Sequence, residues 1–288
     1  MKKVLITGAG SYIGTSFEEY VANHYSSELQ VSTIDMIDDI KEDVGDDMEY
    51  TYVGLNHLSW MTSVRKDGEE LIDKLIGEGF TPKVMANIKD DGFSLETLKA
   101  IHAIPSSYLQ YYYCRNAKLS HLLADEKSRA QVCMEIEEEL LEMYSDEGLY
   151  VKPALLDQRG GHKYSLVAVN LINAIANDIN DIQVVNIKNG NTLSFLKPDD
   201  VIEVAAVIGK DGAKAVPVGE VNNSHIVGLM RIVKEYENLT VKAAVTGSEE
   251  VALNALLLHP LVGDWEAASK CFNEMKEAHK DYLPQYFA

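Results

Sequence analysis

KVLITGAGSYIG, residues 3–14, is the stretch on which the fold turns. Val4, Leu5 and Ile6 make a short apolar run suited to a buried strand, and glycines at positions 8, 10 and 14 follow at once. Phe17, Tyr20 and Val21 then recur at spacings of three and one, as on one face of a helix. The next apolar segment, Val31 to Ile34, ends on Asp35. Strand, glycine turn, helix and strand in this order open a βαβ unit.

The turn Gly8-Ala9-Gly10-Ser11-Tyr12-Ile13-Gly14 has a chemical use as well as a shape. Side chains here would block the backbone from a pyrophosphate, and the following helix offers free N–H groups and the positive end of its dipole. Asp35 lies 21 residues beyond Gly14, where a carboxylate can take both ribose hydroxyls of NAD and repel a 2′-phosphate. Gly8, Gly10, Ser11, Tyr12, Ile13, Gly14 and Asp35 are the candidate NAD contacts.

Outward from this unit the pattern changes. Residues 37–49 (IDDIKEDVGDDME) are acidic and read as a linker or surface segment. YTYVGL (50–55) reads as a strand. Helices are expected near Glu69–Ile76, Leu95–Ile101, Lys118–Tyr144 and Ser165–Asn177. IQVVNI (182–187) and VIEVAAVI (201–208) read as strands, with a turn at Asn189-Gly190-Asn191. The last third predicts helices over about Ile226–Thr246, Glu249–Leu258 and Trp265–Tyr282. The expected fold class is α/β: an abbreviated Rossmann-like N-terminal unit, 1–48, joined to a mixed α/β, helix-rich C-terminal domain, 49–288.

Composition narrows the function. The 288 residues carry 26 Lys+Arg against 45 Asp+Glu, a net charge of -19, so nucleic acid is a poor partner. No apolar run reaches the roughly 18 residues of a spanning helix, and none suits an export signal. The three cysteines are widely spaced and odd in number, which fits reduced thiols in a cytoplasmic protein.

The sequence carries two family resemblances. ITGAGSYIG (6–14) resembles the extended short-chain dehydrogenases, the nucleotide-sugar epimerase and reductase group, over the first 36 residues. That group works through Tyr-x-x-x-Lys, and none of the 15 tyrosines here has Lys four places on. From Thr51 onward the chain resembles glycoside hydrolase family 4, its 6-phospho-β-glucosidases. The resemblance is carried by YVGLNHLSW (52–60), IPSSYLQYYY (104–113), RGGHKYS (159–165), IQVVNIKNG (182–190) and KPDDVIEV (197–204). YENLTVKAAVTG (236–247), HPLVGD (259–264) and EMKEAHKDYLP (274–284) continue it in order.

That family resemblance implies an NAD- and Mn²⁺-dependent hydrolase of carbohydrate metabolism, acting on a phosphorylated disaccharide or other 6-phospho-glucoside. The sugar is oxidised at C3, the aglycone is eliminated, water adds and the hydride returns. It implies His57 as a metal ligand, Tyr164 as the base at C2, Asn56 on a sugar hydroxyl and Arg159 on the 6-phosphate. Taken alone, His57 beside apolar residues reads as structural. The family pattern also has a Cys-Asn-x-Pro segment upstream of the metal histidine, whose cysteine is a second ligand; the first cysteine here, Cys114, comes after His57. Homo-oligomers built through the C-terminal helices are implied too. The rival readings are a catalytically inactive binding or oligomerisation module and a nucleotide-sugar epimerase or reductase.

Overall fold

A computed structural model describes residues 36–55, 58–77, 92–159 and 164–287. The βαβ unit expected at the start of the chain, with the glycine turn and Asp35, lies outside the described residues. The described chain divides into two units: one holds residues 46–115, 184–206 and 215–288, the other residues 36–45, 116–183 and 207–214. The fold is mixed α/β with many helices, as the sequence predicts.

The first of these units is built on a sheet. Strands β1 (Glu49–Leu55) and β2 (Leu58–Lys66) pair antiparallel, with Leu55 opposite Leu58 and Gly54 opposite Ser59. The register slips between Thr51 and Tyr52, a bulge that adds twist. β3 (Glu69–Glu70) sets two acids opposite Arg65 and Lys66, and β4 (Ile104–Pro105) pairs with β2 opposite Trp60 and Met61. β5 (Asp181–Lys188) and β6 (Val201–Gly209) extend the sheet in the order β3-β2-β1-β6-β5. Past residue 206, β6 enters the second unit, where it pairs with β7 (Gly212–Ala215).

Val53, Trp60, Met61, Val64, Ile202 and Val204 are fully enclosed, so the centre of the sheet is core rather than surface. The helix Ser224–Thr246 packs on β1. Asn223 starts it: its Oδ1 accepts from Ile226 N at 3.2 Å, while its Nδ2 donates to the Ile101 carbonyl at 2.6 Å. One amide therefore caps one helix and pins the end of another. Gly247 ends the helix at φ 67°, where a Cβ would lie 2.2 Å from the Gln285 carbonyl oxygen. Helices Glu249–Leu258 and Trp265–Ala278 follow, with Ala243, Ala252 and Phe272 packed between them.

Several expectations need correction. Residues 36–44 form a helix rather than a linker, because Ile37, Ile40 and Val44 recur at helical spacing and Ile40 is fully buried. Glu69 and Glu70 are a strand edge, leaving only Ile72–Leu75 helical. The long helix over 118–144 is two, Arg115–Ala124 and Arg129–Tyr144. Ser128 breaks it with a reciprocal cap: its Oγ accepts from Gln131 N and Gln131 Oε1 accepts from Ser128 N. The final helix stops at Ala278, short of Tyr282. β7 was not anticipated. Leu95–Ile101 and Glu249–Leu258 match their expected bounds. Among the described residues no helix is long and apolar enough to cross a membrane.

Candidate functional site

Asn56 and His57 fall between the paired ends of β1 and β2 and lie outside the described residues, but the frame on either side of them is in view. Tyr52 Oη sits 2.6 Å from Ser59 Oγ and 2.8 Å from Glu203 Oε1. The single phenol proton serves the carboxylate, so the serine hydroxyl supplies the proton of the other bond. Asn186 Nδ2 donates to the second Glu203 oxygen at 3.4 Å. Gly54 is required beside this array: a Cβ there would lie 2.5 Å from Ser59 Cβ. Four strands, β1, β2, β6 and β5, are thus tied together through Tyr52 and Ser59, which flank position 57 on the β1–β2 pair.

Trp60, fully buried on β2, donates its indole N–H to Tyr113 Oη at 3.0 Å. The tyrosine hydroxyl in turn meets His225 Nε2 at 2.9 Å, and the Phe93 ring stands edge-on to it. Burial pushes the Tyr113 hydroxyl up to about 12, against the smaller opposing effect of the Trp60 donor. Its neighbour Tyr112 is also raised by burial, and meets His259 Nε2 at 3.5 Å. His259 Nδ1 accepts from Leu261 N at 3.2 Å, which puts the ring proton on Nε2. Burial holds this imidazole below the ordinary histidine value.

Of the other expected site residues, Tyr164 opens the helix Tyr164–Asn177. Arg159 ends the short helix Leu155–Arg159, and its carbonyl accepts from Arg129 Nη2 at 3.1 Å. Gly8, Gly10, Ser11, Tyr12, Ile13, Gly14 and Asp35 are outside the described residues. Among the described residues no three His, Cys, Asp or Glu side chains gather as a metal-binding group. Cys114, the first cysteine after His57, instead donates to the Gly92 carbonyl at 3.2 Å. The described side chains therefore do not make up a metal site, and His57, the expected ligand, lies outside them. Sequence reasoning missed Tyr52, Ser59 and Glu203 as the supports of the β1–β2 pair, since nothing local marks Glu203 as their partner.

Comparison with known proteins sets this frame in a family. The model of the family 4 glycosyl hydrolase C-terminal domain matches residues 52–262. A probable 6-phospho-beta-glucosidase of Bacillus subtilis (strain 168) is 38% identical over 248 residues, covering 84% of this chain and 56% of the relative. The 6-phospho-beta-glucosidase of Escherichia coli (strain K12) is 32% identical, covering 84% of this chain and 55% of its own. The chain thus spans about half the length of the curated relatives it matches. The 6-phospho-beta glucosidase of Thermotoga maritima, solved with manganese, NAD+ and glucose-6-phosphate, superposes with a TM-score of 0.73 at 28% identity. That likeness covers 96% of this chain and 66% of the other. A match over most of the chain, from β1 to the turn after the helix Glu249–Leu258, is ancestry rather than chance: the chain belongs to family 4 of the glycosyl hydrolases and carries its C-terminal domain.

Proposed function

We propose that residues 49–288 form the metal- and substrate-binding side of a cytoplasmic 6-phospho-β-glucosidase, joined to an abbreviated nucleotide-binding unit, residues 1–48. The observation that carries this reading is the 38% identity to the probable 6-phospho-beta-glucosidase of Bacillus subtilis across 84% of this chain. A solved relative with manganese, NAD+ and glucose-6-phosphate supports it.

In this reading the sugar is oxidised at C3, which acidifies the proton on C2. Loss of that proton expels the aglycone from C1, water adds to the double bond, and C3 is reduced again. When bound, NAD supplies the hydride acceptor and a divalent ion such as Mn²⁺ the polarising charge. Tyr164 takes the C2 proton. Its backbone stands at the first residue of a helix of 14 residues, the end whose partial positive charge favours a nearby anion. Asn56 holds a sugar hydroxyl, and His57 is the metal ligand on the β1–β2 pair. Arg159 takes the 6-phosphate, a role that suits a guanidinium because its donors match an anion in pairs. Gly8, Gly10, Ser11, Tyr12, Ile13, Gly14 and Asp35 contact the dinucleotide.

The test is turnover of a chromogenic 6-phospho-β-glucoside with NAD and Mn²⁺ in excess. Activity should require both, and Tyr164→Phe should lower kcat by about 100-fold or more, the usual loss of a general base. No turnover with both supplied would sink the reading. A second reading, a binding or assembly module without catalysis, is favoured by one observation: no cysteine precedes His57. Calorimetric titration separates the two, since the inactive module takes up neither Mn²⁺ nor NAD.

A further inference from the structure

The helices Ser224–Thr246, Glu249–Leu258 and Trp265–Ala278 border a cleft of about 430 Å³ that lies within one unit of the chain. Small residues leave the room for it: Ala243 and Ala244 on the first helix, Ala252 and Ala255 on the second. Tyr236, Leu256, Phe272, Met275 and Tyr286 form its walls. Small-molecule sites occupy roughly 300–1,000 Å³ and are lined mainly by apolar and aromatic side chains with a few polar groups, and this cleft has both properties. Among its described lining residues none is used by the proposed chemistry, so the cleft is independent of the glycosidase reading.

Contacts around the cleft fix its shape. Lys276 joins the third helix to the second through Glu249 at 2.6 Å. Gln285 Nε2 donates to the Ala244 carbonyl at 3.3 Å, which ties the turn Pro284–Tyr286 to the end of the first helix. The Phe272 and Tyr286 rings meet edge to face with centroids 5.6 Å apart. A site formed in advance spares its ligand much of the ordering that binding otherwise requires.

Charge and hydrogen bonding define the occupant. Lys276 is the one lysine, arginine, aspartate or glutamate among the described lining residues, and Glu249 already neutralises it. Its ammonium also stands 5.9 Å from the Phe272 ring centroid and 5.2 Å from that of Phe287. An ion entering the cleft would give up its hydration and find no free opposite charge to replace it. An uncharged ring, in contrast, gains burial of its apolar area and edge-to-face contacts with Tyr236, Phe272 and Tyr286. The Met275 sulfur suits an aromatic partner as well. The Tyr286 hydroxyl and the His279 ring, both in the lining, have no hydrogen-bond partner among the described residues. We propose that this cleft binds a small uncharged aromatic molecule that carries one N–H or O–H group, with the rings against Phe272 and Tyr236 and the polar hydrogen on His279 or Tyr286.

Calorimetric titration of indole into the full chain tests this. One site per chain with a Kd below about 1 mM is expected. Indole-3-acetate, the same rings with a carboxylate, should bind at least about tenfold more weakly. Benzofuran has the shape of indole without the N–H, and should bind about threefold more weakly or worse. Tyr286→Phe combined with His279→Leu should close the gap between indole and benzofuran. Ala244→Phe, at an exposed position on the rim, and Ala255→Leu, at a buried one, should each raise the indole Kd at least about tenfold, with helicity by circular dichroism unchanged. Heat that does not saturate overturns the proposal. So does indole-3-acetate or benzofuran binding as tightly as indole, or wild-type affinity in both alanine variants. An indole Kd that rises with protein concentration would mean that a second copy fills the cleft, and overturns it too.

Discussion

Gly54 and Ser59 face each other across β1 and β2, and the backbone there has no room for a methyl group. A Cβ on Gly54 would lie 2.5 Å from Ser59 Cβ and 2.9 Å from the Leu58 carbonyl oxygen. Gly54→Ala therefore forces the two strands apart where they carry Asn56 and His57. Overpacking of this kind costs about 1–3 kcal/mol, read as a lower urea midpoint with an unchanged slope. A midpoint equal to the wild type would mean that the strands part freely. Tyr52→Phe tests the adjoining array in the other direction. It removes the one hydroxyl that joins Ser59 to Glu203 and leaves a carboxylate short of a donor, at about 1–3 kcal/mol. If Tyr52→Phe melts like the wild type, the array is ornament and Gly54 alone sets the spacing. Residue by residue, His57 is singled out only through the family resemblance of NHLSW, and it lies outside the described residues. Glu203 has no such mark, because it reaches Tyr52 across a separation of 151 residues and its own neighbours are plain strand residues. Tyr113 is hidden differently: it is one of three adjacent tyrosines, and only the fold shows that it, rather than Tyr111, receives the Trp60 proton.

Elements were legible where one period ran unbroken. Leu95–Ile101 has a serine cap at Ser94 and apolar residues at helical spacing, and its bounds follow from the sequence. Between 115 and 144 the period also runs on, and so a single helix is the natural expectation. What divides it is a cap: Ser128 and Gln131 bond each other's backbone, which is more favourable locally than continuing the helix through Asp125 and Glu126. Acidic composition misled in the opposite sense at residues 36–44, where five charges hide three apolar residues on one face. The cap makes a testable claim at this scale. Ser128→Ala should cost about 1 kcal/mol, the usual loss for an N-cap, and should shift the midpoint of the unit that holds the helix. A gain in helicity instead would show that the two helices fuse once the cap is gone, as the sequence period alone suggests. β7 escaped notice because four residues with two exposed lysine or alanine side chains carry no alternation to read.

For the whole molecule, two half-buried groups, the His259 imidazole and the Tyr113 hydroxyl, bracket the pH range of full stability from opposite sides. His259 is held below the ordinary histidine value by burial, beside the Tyr112 hydroxyl and the Tyr236 ring. As pH falls below about 6.5 the unfolded chain takes a proton that the folded chain refuses, so stability declines until the folded value is passed. Protonation also turns Nδ1 into a donor facing the Leu261 N–H, which loosens the turn between Glu249–Leu258 and Trp265–Ala278. Tyr113 has the reverse sign. Its folded value is raised to about 12 by burial, so the unfolded chain releases its proton first. Its contribution is complete below the ordinary tyrosine value of about 10 and is lost as pH climbs towards the folded one. Thermal melts across this range should therefore be flat between about pH 7 and 9 and fall on both sides. His259→Gln should lower the plateau slightly and flatten the acid limb, while Tyr113→Phe should flatten the alkaline limb and leave the acid one alone. If His259→Gln keeps the full acid slope, that slope belongs to the carboxylates of Asp47, Glu96, Asp199 and Glu277, all held below their ordinary values by hydrogen bonds to the charged form. Raising the salt would then separate the two causes, because these carboxylates are fully exposed and screened, whereas the half-buried imidazole is screened less.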